Sequence, residues 1–563
     1  MAGELKGRGS VYNSIVISTV HGPVRGRVVD GVAAFKGIRY GADTGTYRFQ
    51  PPRPPQPWTD VANAFEFGPT CPQDHPDTGV DRALNPFLQK IGLTDNLPED
   101  EDCLFLNVWT PARLSQEASV SGDGTDGART DQPDHPGRPV LVWVHSGAYS
   151  SNSGSSPSID GTHLAREHNL VVVTFNHRLG ALGYTQVVDP TTEPNSPYAE
   201  SGNVGMLDIV AMLAWVRDNI AAFGGDPSRI TVAGQSGGAM KISILMAMPS
   251  AAGLFHRAVL CSGATTLARP LDDALRTGRH LRVCAGLPGD AAVTELAKLP
   301  IQDFMRASLA AAGTSMTTFS PVIDGSTLPC APFAPSALAL SAHVPAIIGD
   351  LDTEAALFLA GSHDELATQG LDGLHRALTG ELGTQVADKF LAALQDSHPS
   401  ASPYELALRA SSDLAFCVHT RTAVQRRVAW AQAHGGAPTW RYRITWRTPV
   451  DDGVYMSTHE LDVALAFGNV EAARGLNGGG DEARALSRTI GSTWANFAAD
   501  GEPCGRQGTG SVASWPACES AVAHTLLLTP TPQSAGDVDA AELDAITATV
   551  HGEVNWLEAV RAR

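Results

Sequence analysis

The chain has 563 residues, 43% hydrophobic and 18% charged, which is enough apolar content to bury a sizeable core. Its formal net charge of −19 argues against a nucleic-acid or anionic-membrane partner, since phosphate binding needs basic surface. No uninterrupted apolar run approaches the roughly 18 residues of a membrane span. Residues 1–10 lack the apolar core of a secretory leader, so the expected location is cytoplasmic.

Taken in order, residues 14–20 and 28–40 read as short strands broken at Gly22-Pro23, and the proline-rich stretch 51–57 as a surface crossing. Cys71 and Cys103 flank a Pro- and Asp-rich loop. Residues 113–138 are nearly all Ser, Gly, Asp, Thr, Gln and Pro, and read as a disordered surface insertion. Strands continue on both sides of it, so it marks no boundary and the chain, 1–563, is expected to be one domain. Residues 140–144 and 170–175 are continuous apolar runs, the pattern of parallel strands covered on both faces. Between them lies His145-Ser146-Gly147-Ala148-Tyr149.

Residues 207–223 form an amphipathic helix with Ile209, Val210, Leu213, Val216 and Ile220 on one face, stopped at Gly224-Gly225-Asp226-Pro227. A β-branched run, 230–232, then enters Gly234-Gln235-Ser236-Gly237-Gly238, and a helix-compatible run follows from Ala239. Further strands are expected at 257–261, at 344–348 and at 440–446, where residues alternate. Helices are expected through 266–312, 355–436 and 485–498. Strands alternating with helices imply an α/β fold with a mostly parallel sheet. Eight cysteines without a C-x-x-C pair suggest neither a disulfide scaffold nor a metal knuckle. No metal or cofactor is expected.

G-x-S-x-G between a strand and a helix is the pattern of a nucleophile elbow, which presents a serine hydroxyl above the sheet. A plain Gly-rich turn shares the pattern, but not the strand before and the helix after. Acyl transfer by serine needs a base for the hydroxyl proton, an acid to orient that base, and donors for the oxyanion. In such folds the order is Ser, acid, His, all in loops after strands. His459, in a Gly/Ser/Thr loop after a strand, is the candidate base; a merely solvated loop histidine would look the same. Asp350, Asp352 and Glu354 all follow the 344–348 strand, and composition alone does not choose among them. The amide of Gly237, with the loop 145–148, would supply the oxyanion donors.

At this point the residues match a known family. F-K-G-I-R-Y-G at 35–41, R-F-Q-P-P at 48–52, E-D-C-L-F-L-N-V-W at 101–109, F-N-H-R-L-G-A-L-G-Y at 175–184, W-V-R-D-N-I-A-A-F-G-G-D-P at 215–227 and W-A-N-F-A-A-D-G-E-P at 494–503 run in order along the chain. Together they resemble the type-B carboxylesterases, the cholinesterase-like branch of the α/β-hydrolases. The resemblance implies the α/β-hydrolase fold, with helical insertions forming the pocket. It also implies a serine carboxylesterase that cleaves small-molecule esters to acid and alcohol through an acyl-serine. Its G-x-x-x-x-E segment falls on Gly349 and Glu354, with Phe358 in the usual following position. Its catalytic histidine, eight residues before a Phe-Gly pair, falls on His459, with Asp462 where an acid is common. The implied triad is Ser236, Glu354 and His459, and the implied oxyanion donors are Gly147, Ala148 and Gly237. Cys71 and Cys103 match a loop that secreted members close with a disulfide.

Three departures stand out. Gln235 replaces the usual Glu before the nucleophile, Gly237 the usual Ala after it, and Ser146 the first Gly of the oxyanion loop. Gln235 removes a negative charge beside the site, and Ser146 is expected to narrow the acyl or alcohol side. The same triad serves carbamates, amides and lactones, so these are the alternative substrates, and a non-catalytic binding module is the more distant alternative. The chain is expected to act as a monomer or homodimer.

Overall fold

The apolar runs do become strands, because a run with no polar alternation can be satisfied only where both sheet faces are covered. The computed structural model describes residues 13–73, 92, 97–112, 137–313, 315–505, 512, 514–519 and 524–550. Residues 113–136 of the expected insertion lie outside the described residues, and Arg138 already begins a strand.

Twelve strands form the main path of the sheet: β1 Asn13–Ser18, β2 Pro23–Val29, β3 Val32–Arg39, β4 Phe105–Pro111, β5 Arg138–Val144, β6 Val171–Phe175, β7 Gly225–Gln235, β8 Arg257–Cys261, β9 Ala346–Leu351, β10 Thr439–Ile444, β11 Thr525–Leu528 and β12 Gln533–Ala535. Their spatial order is β1-β2-β3-β4-β6-β5-β7-β8-β9-β10-β11-β12. The first four, and the β4–β6 contact, are antiparallel, β6 through β11 are parallel, and β12 returns antiparallel. The arrangement is that of the α/β-hydrolase fold.

Successive residues of the central strands face opposite layers. Val140, Val142 and Val144 of β5 join one cluster with Met206, Ile209, Leu213 and Val216 of helix α1 (Val204–Asn219) and with Ile242 of helix α2 (Gly237–Leu245). Leu141 and Trp143 join the other, with Leu465 and Phe467 of α5 (Leu461–Phe467) and Leu486, Ile490 and Trp494 of α6 (Asp481–Asp500). Trp143 stacks on Trp494 at 5.9 Å and meets Phe467 edge-on at 5.1 Å. A third cluster unites the helices between β9 and β10, among them α3 (Pro403–Ser412) and α4 (Val418–His434).

Two sequence expectations needed adjustment. The strand expected at 344–348 starts at Ala346 and continues through Gly349 and Asp350 to Leu351. Asp350 fits inside the sheet because Arg443 on adjacent β10 donates Nε to its Oδ1 at 2.7 Å. For the same reason the alternation in β10 does not separate core from solvent. All six of its residues are buried, with Arg441 donating to Asp537 at 2.6 Å.

One buried ion pair ties helix α1 to the N-terminal segment. Arg178, in the loop after β6, grips Asp208 of α1 through Nε (2.8 Å) and Nη2 (2.6 Å), and its Nη1 reaches the carbonyl of Gln50 at 2.8 Å. Neither side chain reaches solvent. Removing one partner strands a desolvated charge. Asp208→Ala is therefore expected to cost about 3–5 kcal/mol, read as a lowered urea midpoint. An unchanged midpoint would contradict the assigned role.

Candidate active site

The turn after β7 fixes Ser236, the candidate nucleophile. Ser236 has φ 53° and ψ −123°, a conformation that non-glycine residues rarely hold. Three contacts hold it there. Its N–H donates to the carbonyl of Cys261 on β8 at 2.8 Å. Its carbonyl accepts from Met240 N at 3.0 Å, opening α2. Gly238, two residues on, lies so close to β5 that a Cβ there would fall 2.0 Å from Val144 O, so a side chain would force helix and strand apart. Ser236 stays partly exposed while its neighbours Gln235 and Gly237 are buried. Its hydroxyl can thus meet a ligand.

His459 and Glu354 arrive from loops after β10 and β9. His459 Nδ1 lies 2.6 Å from Glu354 Oε2, and Glu354 Oε1 accepts from Leu351 N at 2.7 Å. Both side chains are buried, and the backbones also meet, His459 N donating to Glu354 O at 3.3 Å. The other acids left open by the sequence are engaged elsewhere. Asp350 is held by Arg443, and Asp352 receives Arg409 through both oxygens at 2.9 and 2.7 Å. Among the three candidates, Glu354 is the acid beside the imidazole. Burial by itself would lower the pKa of His459, but the charge and hydrogen bond of Glu354, with help from Glu460 and Asp462, outweigh it and raise the pKa above the ordinary value.

The loop after β5 wraps over the start of α2. Gly147 and Ala148 both have positive φ, 83° and 48°. A Cβ at Gly237 would fall 2.4 Å from Ala148 N and 2.2 Å from Ala148 O, so the two backbones touch at that point. Gly147, Ala148 and Gly237 are thus brought together beside Ser236. The glycine at 237, unusual for the resemblance, is what this close approach requires.

Ser146 is engaged by two side chains. Its hydroxyl accepts from Asn152 Nδ2 at 2.9 Å and donates to Glu460, a contact that partly offsets the upward push of burial on that carboxyl. Glu460 is a site residue that sequence reasoning missed. It follows His459 in the left-handed conformation, φ 67°, and an acid at that place carries no motif. Burial, then the charges of Glu354 and Glu460, push Asp462 up to about 8. Gln235 places Nε2 3.2 Å from His459 Nε2.

Two half-buried rings wall the imidazole. Phe416 lies 4.7 Å and Phe358 5.5 Å from it, and they stack on each other at 6.4 Å. Phe358 was legible from the resemblance. Phe416 was not, because it rides on a π-helical turn, Asp413–Cys417, set between α3 and α4. Cys71 and Cys103 are free thiols in contact; the hydrogen bond with Cys71, then burial, push the Cys103 thiol well up.

Among the described residues, one group has metal-ligand character: His398, Asp539 and Glu542. His398 Nε2 lies 3.3 Å from Glu542 Oε1, and Asp539 pairs with Arg443. None of the three belongs to the Ser–His–Glu constellation.

Comparison with known proteins gives a consistent picture. The sequence pattern of the carboxylesterase family matches residues 13–545. The chain is 32% identical over 522 residues to the para-nitrobenzyl esterase of Bacillus subtilis (strain 168), covering 91% of this chain and 94% of that protein. It is 30% identical over 524 residues to the liver carboxylesterase of Sus scrofa, covering 87% and 86%. A solved PNB esterase superposes with a TM-score of 0.75 at 29% identity, covering 94% of this chain and 99% of that one. A carboxylesterase of Geobacillus stearothermophilus gives 0.75 at 30%, with the same coverage.

The Gly237–Ala148 approach carries a prediction. Gly237→Ala must displace the loop of Gly147 and Ala148, since the clashing atoms are all backbone. It is expected to lower kcat by up to about 10²-fold with little change in KM. Ester-hydrolysis kinetics check this, and an unchanged kcat contradicts it.

Proposed function

The chain belongs to the carboxylesterase family and is a carboxylic ester hydrolase; we propose that Ser236, His459 and Glu354 carry that hydrolysis, with the amides of Gly147, Ala148 and Gly237 as oxyanion donors. The observation that carries this reading is the 2.6 Å contact between Glu354 and His459, whose ring also lies 3.2 Å from Gln235, the residue before the strained elbow serine.

In this mechanism His459 Nε2 takes the Ser236 proton as Oγ attacks the ester carbonyl. Glu354 holds Nδ1–H and steadies the imidazolium as it forms. The oxyanion settles on the three amides, which are fixed before the reaction and need not reorganise. The proton passes from Nε2 to the leaving alcohol. Water, activated by the same nitrogen, then releases the acid from acyl-Ser236. The His459–Glu354 pair is in place before substrate arrives, and no metal is invoked. The Phe358 and Phe416 rings beside His459 favour an apolar, flat group on the substrate at that side. We further infer that the chain folds as one hydrolase domain over 1–563, acting as monomer or homodimer in the cytoplasm. Among the described residues no helix is long and apolar enough to cross a membrane.

Ser236→Ala is expected to lower kcat for p-nitrophenyl esters by several orders of magnitude while the circular-dichroism spectrum stays native. Hydrolysis at the wild-type rate would remove Ser236 from its role. The pH dependence has a definite sign. His459 acts as a base only when neutral, and its pKa is raised. The acid limb of kcat/KM is therefore expected above the ordinary histidine value of about 6.5. A profile flat down to pH 5 would contradict a histidine base in this setting.

A further inference from the structure

Beneath the loop after β5 lies a buried amine that the triad does not use. Lys241 of α2 is fully buried, as are His145 and His177, which come shortly after β5 and β6. Among the described residues no carboxylate pairs with Lys241, and burial alone brings its pKa down to about 7. Its Nζ donates to a single atom, the carbonyl of His145, at 3.1 Å. An ammonium without a counter-ion is costly inside a protein. A methionine would fill similar space without that cost, so the bond to His145 O is what a lysine adds here. Charged or neutral, the amine keeps an N–H to donate.

The two histidines continue the same arrangement. His145 Nδ1 lies 3.0 Å from the carbonyl of Ser146, and His145 Nε2 lies 3.2 Å from His177 Nδ1. A carbonyl only accepts, so His145 carries its proton on Nδ1. Its Nε2 then accepts from His177 Nδ1–H. His177 Nε2, which has no partner, is left as a lone pair. Burial, then the charge of Lys241, hold both rings well below the ordinary histidine pKa, so both are neutral and this pattern of protons is kept. The rings meet edge to face at 4.7 Å, which fixes the plane of each.

These contacts decide where the backbone amides point. In a trans peptide the C=O and the following N–H face opposite ways. Ser146 O is drawn to the His145 ring, so Gly147 N–H faces away from that ring. Gly147 O is taken by Ser150 N at 3.1 Å and Ser151 N at 3.0 Å, so Ala148 N–H faces away from those. Among the described residues neither amide has an acceptor. Lys241 secures the start of this loop to α2, whose first residue is Gly237. The two segments that carry the three amides are thus joined through one side chain.

We propose that Lys241 is a positioning residue for the oxyanion donors, clamping the loop 145–148 to α2 while the His145–His177 pair turns Gly147 N–H towards the ester carbonyl oxygen. This rests on the reading of Ser236, His459 and the three amides above. Lys241, His145 and His177 take no proton from Ser236, so the path through His459 Nε2 stays open.

The test compares wild type with Lys241→Met, His145→Asn and His145→Leu. It reads kcat and KM on a p-nitrophenyl ester and the inhibition constant of a trifluoromethyl ketone. That ketone adds to Ser236: the Oγ–carbon bond forms, the hydroxyl proton goes to His459, and the carbonyl oxygen becomes an anion held by the same amides. Lys241→Met is expected to lose about tenfold in kcat, with KM little changed and ketone binding weakened by a similar factor. His145→Asn, whose Nδ2 can replace Nδ1 as donor to Ser146 O, is expected to keep most of the wild-type kcat. His145→Leu, which has no donor, is expected to lose as much as Lys241→Met. A wild-type kcat in Lys241→Met overturns the proposal, and so does a lowered kcat with undiminished ketone affinity. If Lys241→Met fails to fold, the His145 variants decide alone, and equal kcat for Asn and Leu overturns the proposal. Failure of the triad reading looks different: wild type itself would then bind the trifluoromethyl ketone no more tightly than the matching methyl ketone.

Discussion

A buried carboxylate needs a partner, and in this protein the need of Glu354 is met by one imidazole and one backbone amide. That contact joins two loops 105 residues apart in sequence. It holds because the neighbouring acids have been removed from competition. Arg443 takes Asp350 and Arg409 takes Asp352, so each carboxylate at the end of β9 has its own cation or ring. Without those arginines, three acids within five residues would compete for one histidine. The buried guanidiniums are thus part of the site's assembly although they stand outside its chemistry.

Strain supplies the second constraint. Ser236, Ala148 and Glu460 all hold positive φ. Backbone in that region relaxes unless its surroundings prevent it. Here the prevention is mutual. The elbow is pinned to β8 through Cys261, the loop of Ala148 is pressed against Gly237, and Glu460 is tethered through Ser146 to the base of that loop. Each strained residue is held by a contact to another part of the same site, so the hydroxyl, the amides and the imidazole are positioned as a set.

Much of this was legible before any coordinates. The parallel strands announce themselves as apolar runs because both their faces are covered. The elbow does so because only glycines fit where α2 meets β5. His459 and Glu354 needed the family resemblance, since a loop histidine and three clustered acids carry no signal of their own. What stayed hidden had a common physical cause. The strand boundary at Asp350, the burial of Arg441 and Arg443, and the ring of Phe416 on its π-turn all depend on partners distant in sequence. A polar residue reads as loop or surface until the opposite charge that permits its burial is seen.

The same limit applies to the three departures from the family pattern. Read singly, Ser146, Gln235 and Gly237 look like independent losses: an extra side chain, a missing charge, a missing methyl. In space they are connected. Gly237 admits the backbone of Ala148. Ser146, two residues earlier on that loop, binds the carboxyl of Glu460. Glu460 follows the histidine that Gln235 touches. An acid absent at 235, beside Ser236, has a counterpart at 460, beside His459, where the Ser146 hydroxyl donates to it. Residues in one contact network do not contribute additively. Restoring the family residue at any one of these positions therefore disturbs the other members of the network, and Ser146, Gln235, Gly237 and Glu460 are best understood as one arrangement around a single imidazole.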